Sequence, residues 1–319
     1  MKPPVILARQ TMGTRFEFVL YGDDPTHLQA AGEEALDEIS RLNSELGFHQ
    51  PGSEIARLNS HAAKGPVKVS PLLFDLLRQS IDLNHKTEGT FDITVAPLII
   101  CWGLATGEGR FPEPEEVKEA MELVGSERLQ LNESDHTVAF DREGVMLDLG
   151  SIGKGLALDI AAEWLQEAGI QNALIHGGTS TVYAIGSPPD ADAWSVGVVK
   201  PEDGPTLSTE TPAEDENLLA TVQLKDESLS VSAIWGKSFE KDGRTYGHVI
   251  DTRIGEPVSG AYLSAVIHPN ATESDALATA LLTLGEPGPD LISKSFPDAR
   301  TLIALPTGDA DGYRTINRI

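Results

Sequence analysis

The chain has 319 residues, 40% of them apolar and 23% charged, with 24 basic and 49 acidic side chains and a formal net charge of −25. Length and apolar content suffice for a substantial buried core, while the negative field repels phosphate backbones and excludes nucleic acid as a partner. The single cysteine, Cys101, excludes an intramolecular disulfide and a thiolate metal cluster.

The N-terminal stretch MKPPVILARQTMGTRFEFVLYG has no long apolar core ahead of a cleavage site, and no segment approaches the ~18 apolar residues of a spanning helix. The expected location is the cytoplasm, with the periplasm or cell envelope as the alternative if a leader was trimmed. Residues 15–22 alternate like a strand. Helical spacing follows over 26–47, with Leu28, Ala31, Ala35, Ile39 and Leu42 on one side. Ser53 is placed to cap a helix over 53–62. Ser70 and Pro71 open another over 70–89, and a further helix is predicted over 113–125. Cys101 lies in the apolar run PLIICWGL, where a buried, inert thiol is expected.

Short strands follow at RLQLN, TVAFD and GVMLDLG, then a helix over 155–168. Strands are next expected at NALIHGG, TVYAIG and WSVGVVKP. Residues 201–217 are acidic and proline-bearing and read as a surface loop, because strand patterns resume at LLATVQL and ESLSVSA. A turn in HVIDTRIGEPV, a strand YLSAVIHP, a helix ESDALATALLTLG and a last strand near RTLIAL complete the chain. Strands and helices mix without a βαβ rhythm, which predicts an α+β fold of mostly antiparallel sheets packed with helices.

Three stretches carry chemistry. Residues 148–159, DLGSIGKGLALD, lack the spacing of a nucleotide P-loop and of the dinucleotide fingerprint. What remains is a glycine-rich turn entering a helix, with free backbone N–H groups and the cation of Lys154. That arrangement suits a phosphate, although a plain helix entry with Asp148 in solvent fits the same residues. In the helix after Glu273, Asp275 and Thr279 are i, i+4, so a carboxylate and a hydroxyl share one face. Hard oxygens of this kind suit Mg2+; the alternative is a helix capped at Thr272 with Asp275 near its positive end. In HVIDTRIGEPV, His248 is a candidate acid or base beside Asp251; a structural or surface histidine reads equally well from the residues.

The order of MGT, SEIARLN, GTFDITVAPLIICWG, DLGSIGKGLALD, NALIHGGTSTVYAIG, YGHVIDTRIGEPV and SDALATALLTLG resembles the ApbE-type FAD:protein FMN transferases, from about residue 9 to the C-terminus. The resemblance implies one such domain over 1–319, of T-fold type, with flavin between its halves. It implies Mg2+-dependent transfer of FMN from FAD to a Thr or Ser hydroxyl of a target protein, a redox-complex subunit or flavoprotein, with release of AMP. An FAD pyrophosphatase and a non-catalytic FAD store are the alternatives. Carried over by motif, Ser151 (through its carbonyl), Asp275 and Thr279 hold the metal. Met12, His49, Thr90, Phe91, Asp92, Asp148, Lys154 and Val249 contact flavin, His248 is the base, and Asp251 orients it. The chain has GSIGKG where the family has GGIAKG, GGT for GGD, SAIWGKSF for SGDYERYF and IDTRIG for IDPRTG.

Overall fold

The computed structural model describes residues 2–201, 207–208, 217–235, 238–241, 244–307 and 312–319. Strands β1 (Val5–Thr11) and β2 (Thr14–Tyr21) form a hairpin, and helix α1 (Pro25–Leu46) follows. Asp24 caps α1 by accepting from the Thr26 and His27 amides. Helix α2 (Glu54–His61) starts at Ser53, whose hydroxyl accepts from Ala56 N, and α3 (Pro71–Lys86) starts at Ser70. Both caps lie where the sequence puts them. β3 (Val67–Lys68) lies between these two helices, and α4 (Ala96–Cys101) and α5 (Pro114–Met121) come next. The predicted helix over 113–125 ends at Met121, just before Gly125 takes a φ of 133°.

β4 (Leu129–Asn132) and β5 (Thr137–Phe140) pair with each other and with β3 as a small sheet. The expected strand GVMLDLG is not a strand: residues 145–149 have no regular structure and pair with none of the described strands. The Asn59 side chain takes the place of a partner: its amide donates to Leu147 O (3.0 Å) and its carbonyl accepts from Leu147 N (2.8 Å). A strand pattern gives a propensity, and whether a ladder forms depends on what lies alongside.

Helix α6 (Gly153–Glu167) follows, then β6 (Asn172–Gly177), β7 (Thr181–Ile185), β8 (Trp194–Val199), β9 (Leu207–Ser208), β10 (Leu218–Leu224) and β11 (Glu227–Ala233). Of the predicted loop over 201–217, residues 202–206 and 209–216 lie outside the described residues, and 207–208 pair with β8. Next come β12 (Ser238–Lys241), β13 (Arg244–Gly247), β14 (Ile250–Asp251), β15 (Glu256–Pro257), β16 (Leu263–His268), α7 (Ala271–Leu284), α8 (Gly288–Ser295), β17 (Arg300–Pro306) and β18 (Tyr313–Asn317).

The main sheet has eight strands in the order β1-β2-β6-β7-β11-β16-β17-β18, every pair antiparallel. The order is that of the chain: the sheet is a meander, and the helices and smaller sheets are excursions between its strands. One face carries Phe16, Phe18 and Ile175 against α1, α6 and α7. The other carries Leu174, Val182, Leu229 and Ala265 against Trp194, Val196, Val222 and Leu224 of the β8–β10 sheet. The fold is the expected α+β arrangement of antiparallel sheets packed with helices.

Helix α7 is apolar on nearly all sides and buried at Ala276, Leu277, Ala278 and Ala280. Its cap is Asn270, which accepts from Glu273 N, rather than Thr272 as in the alternative capped-helix reading. Thr272 lies inside the first turn, where its hydroxyl and amide donate to Asp159 of α6. The two helices cross at Gly155, where a Cβ would stand 2.2 Å from Ala271 O. Cys101 is buried, and burial pushes its thiol pKa up, as an inert thiol requires.

Candidate functional site

The crossing of α6 and α7 places the candidate metal and phosphate residues together. Asp275 projects from α7 toward the start of α6 and is 4% exposed. One carboxylate oxygen accepts from Gly155 N at 3.1 Å and the other from the Thr181 hydroxyl at 3.3 Å. Lys154 lies across it, its ammonium 3.6 Å from the carboxylate and 3.2 Å from Gly150 O. Thr279, one turn along α7, is partly exposed, and its hydroxyl lies 3.4 Å from that of Ser232 at the end of β11. A buried carboxylate is costly unless compensated, and here two donors and a cation compensate it.

The glycine-rich loop is held by local and distant bonds. Gly150 N donates to the Asp148 carboxylate at 2.6 Å, and Asp148 N donates to Ile93 O at 2.7 Å. That second bond ties the loop to the TFDIT segment. Met12 sits in the β1–β2 turn, where it and Gly13 have φ of 50° and 71°. Its methyl lies 3.7 Å from where a Cβ on Gly153 would stand, so the hairpin tip covers the loop.

Thr90, Phe91 and Asp92 are buried, and their side chains serve the fold. The Thr90 hydroxyl donates to Thr87 O, and Phe91 is in the main core. The Asp92 carboxylate accepts from Thr94 N, the Thr94 hydroxyl and the Asn84 amide. Burial raises the Asp92 pKa, and those hydrogen bonds counter it. The Thr252 hydroxyl donates to Gly89 O at 2.8 Å, joining this segment to the turn with the candidate base.

In that turn His248 is exposed and Val249 partly buried, and Val258 N donates to Val249 O. Asp251 is buried, with Arg253 bonded to both its oxygens at 2.9 and 2.7 Å. The orienting carboxylate expected for His248 is therefore also the partner of a guanidinium two residues away. His49 stands apart from this chain of contacts, exposed and edge-on to Phe48. Twelve of the thirteen predicted residues thus lie on segments joined by described contacts.

Two residues of the same site lie within the quoted sequence stretches but are not among the candidate site residues read from them. Thr181 bonds Asp275 across 94 positions. Asp159 accepts from Ala271 N, Thr272 N and the Thr272 hydroxyl, all at 2.6–2.7 Å. It thereby fixes the start of α7 and the register that delivers Asp275. Burial raises the Asp159 pKa against these bonds.

The oxygens at this centre suit a hard cation. The Gly150 carbonyl and the Asp275 carboxylate already converge on one positive charge, the Lys154 ammonium, and Thr279 adds a hydroxyl on the same helix. Ser151, the expected carbonyl donor, follows Gly150 directly. Among the described residues no group of three or more His, Cys, Asp or Glu could hold a metal, so any metal here would take part of its shell from neutral oxygens. No described helix is long and apolar enough to cross a membrane.

A family model described as the ApbE family matches residues 12–303. The FAD:protein FMN transferase of Vibrio cholerae is 28% identical over 290 residues, covering 88% of this chain and 82% of that protein. The solved flavin transferase ApbE from Vibrio cholerae superposes with a TM-score of 0.80 at 26% identity, covering 98% of this chain and 96% of that one. The fold is shared as well with the ApbE protein of Thermotoga maritima, with a TM-score of 0.85 at 24% identity over 98% and 96% of the two chains.

Proposed function

This chain belongs to the ApbE family and is a transferase, and on that premise we propose that it moves FMN from FAD to a Thr or Ser hydroxyl of another protein and releases AMP. The observation that carries the reading is the buried Asp275 carboxylate facing Lys154 and the glycine-rich entry of α6. Fixed positive ends of this kind receive a pyrophosphate. Asp275, Thr279 and a carbonyl at Gly150 or Ser151 would hold Mg2+, which when bound offsets the charge that develops as AMP departs.

Lys154 binds and orients the same diphosphate. His248 takes the proton of the incoming hydroxyl. The hydroxyl oxygen forms a bond to the FMN phosphorus, the bond from that phosphorus to the bridging oxygen breaks, and AMP leaves with the electron pair. Asp251, tied to Arg253, fixes the turn that carries His248. The hairpin tip at Met12 covers the loop on one side and limits water there.

The test is incubation with FAD, Mg2+ and isolated candidate acceptor proteins, followed by in-gel flavin fluorescence and AMP analysis. Fluorescent protein with stoichiometric AMP is expected. AMP without labelled protein would instead make the chain an FAD pyrophosphatase, and no AMP would make it an FAD store.

A further inference from the structure

A cluster of aromatic side chains lies directly upstream of His248. Phe239 of β12 and Tyr246 of β13 are cross-strand partners with rings stacked at 5.2 Å and 17°. Trp102 also stacks on Tyr246, at 5.9 Å. Phe111 stands edge-on to both Trp102 and Tyr246, at 5.3 and 5.7 Å. The 103–111 loop reaches the hairpin because Gly109 has a φ of +66° and no side chain: a Cβ there would lie 2.2 Å from Phe239. Trp102 also donates to Gly255 O at 2.8 Å, so the cluster grips the Asp251 turn from its far end.

A satellite core explains the buried Trp102 and the partly buried Phe239 and Tyr246. It does not explain Phe111, which is 48% exposed with the Lys241 ammonium 4.4 Å over its ring. This places an aromatic face and a cation at the surface of a chain with a net charge of −25. Tyr246 lies in β13 and precedes the exposed His248 by two residues, so their Cα atoms are within about 7 Å of each other. A polypeptide whose hydroxyl reaches His248 has this face in its path.

We propose that Phe111, Tyr246 and Lys241 form the docking surface for the acceptor protein, and that the occupant is an extended segment carrying the acceptor hydroxyl with an apolar and an acidic side chain close by. The inference rests on the FMN-transfer reading. Aromatic anchors hold apolar side chains at interfaces, and a rim cation selects an acidic neighbour.

The probe is a series of synthetic 12-residue peptides with one central Thr, varied at flanking positions between apolar and polar and between Asp and Lys. Transfer is read by the mass of the FMN adduct, as KM and kcat for the peptide, beside an FAD titration. Phe111→Ala is expected to raise peptide KM about tenfold with kcat and FAD affinity unchanged. Lys241→Glu is expected to reverse the preference between Asp and Lys peptides. Phe111→Leu should recover part of the loss, which separates anchoring from damage to the ring stack. Peptide KM unchanged in both Phe111→Ala and Lys241→Glu overturns the docking surface and leaves the transfer reading intact. A wild type that labels intact acceptor proteins but none of the peptides also overturns it, since a docked segment would then not suffice. A wild type that labels neither fails the transfer reading itself, and docking falls with it.

Discussion

Asp275 and His248 sit at the two ends of one proposed reaction and are built in opposite ways. Asp275 is enclosed, and its bonds reach Gly155 and Thr181 across 120 and 94 positions. His248 is exposed, on a segment held at Asp251 by Arg253 and tied to distant residues through Thr252 to Gly89 O and Trp102 to Gly255 O. Charge stabilisation works when the dipoles are fixed before the reaction and water is excluded. A proton acceptor that must meet a hydroxyl on another protein has to be at the surface. One end is accordingly enclosed, and the other is accessible.

The largest effect is expected at the enclosed end. Asp275→Ala removes the one charged candidate ligand and should reduce transfer by at least ~10³-fold, equivalent to about 4 kcal/mol, with EDTA acting alike. Single-turnover transfer at saturating FAD measures it, and wild-type activity at low Mg2+ would refute the assignment.

At the open end, His248→Ala should slow transfer by about 10²–10⁴-fold while leaving the melting curve and FAD titration unchanged. Equal losses in melting temperature and FAD binding would make His248 structural and erase the contrast between the two ends.

Lys154→Ala tests whether the cation faces the diphosphate. FAD affinity should fall roughly tenfold, about 1.4 kcal/mol, with FMN less affected because it has one phosphate. Unchanged affinity for both, with unchanged turnover, would confine Lys154 to its ion pair with Asp275.

The smallest effect lies in the sheet that supports both ends. Burial lowers the His176 pKa to about 4 from the ordinary 6.5, countered by Glu17 on the paired strand. The folded state thus disfavours the proton, so this contribution to stability is complete above pH 6.5 and is lost as pH falls toward 4. His176→Gln should flatten the fall in melting temperature between pH 7 and 4.5, and identical pH slopes for the two proteins would reject it.

Much of this was legible in the order of residues. The caps at Ser53 and Ser70, the alternating strands and the i, i+4 pair of Asp275 and Thr279 follow from local periodicity, which the backbone obeys wherever the segment packs. The ApbE resemblance assembled weak motifs into one site. Sequence did not reveal that Asn59 would pair with Leu147 in place of a strand, that Asn270 rather than Thr272 would cap α7, or that Asp92 would spend its carboxylate on Thr94 and Asn84. Each of these turns on which of several competent polar groups comes within hydrogen-bond reach.

The sequence by itself determined most of the elements, the fold class and the residues proposed to react, because propensity, capping and side-chain chemistry belong to a residue and its near neighbours. Tertiary structure alone decided that Asp159 starts α7, that Gly155 lets α6 approach Ala271, and that Lys154 meets Asp275. Those contacts join positions some 112 to 121 residues apart, and only the packing of helices on the sheet brings them within a few ångströms.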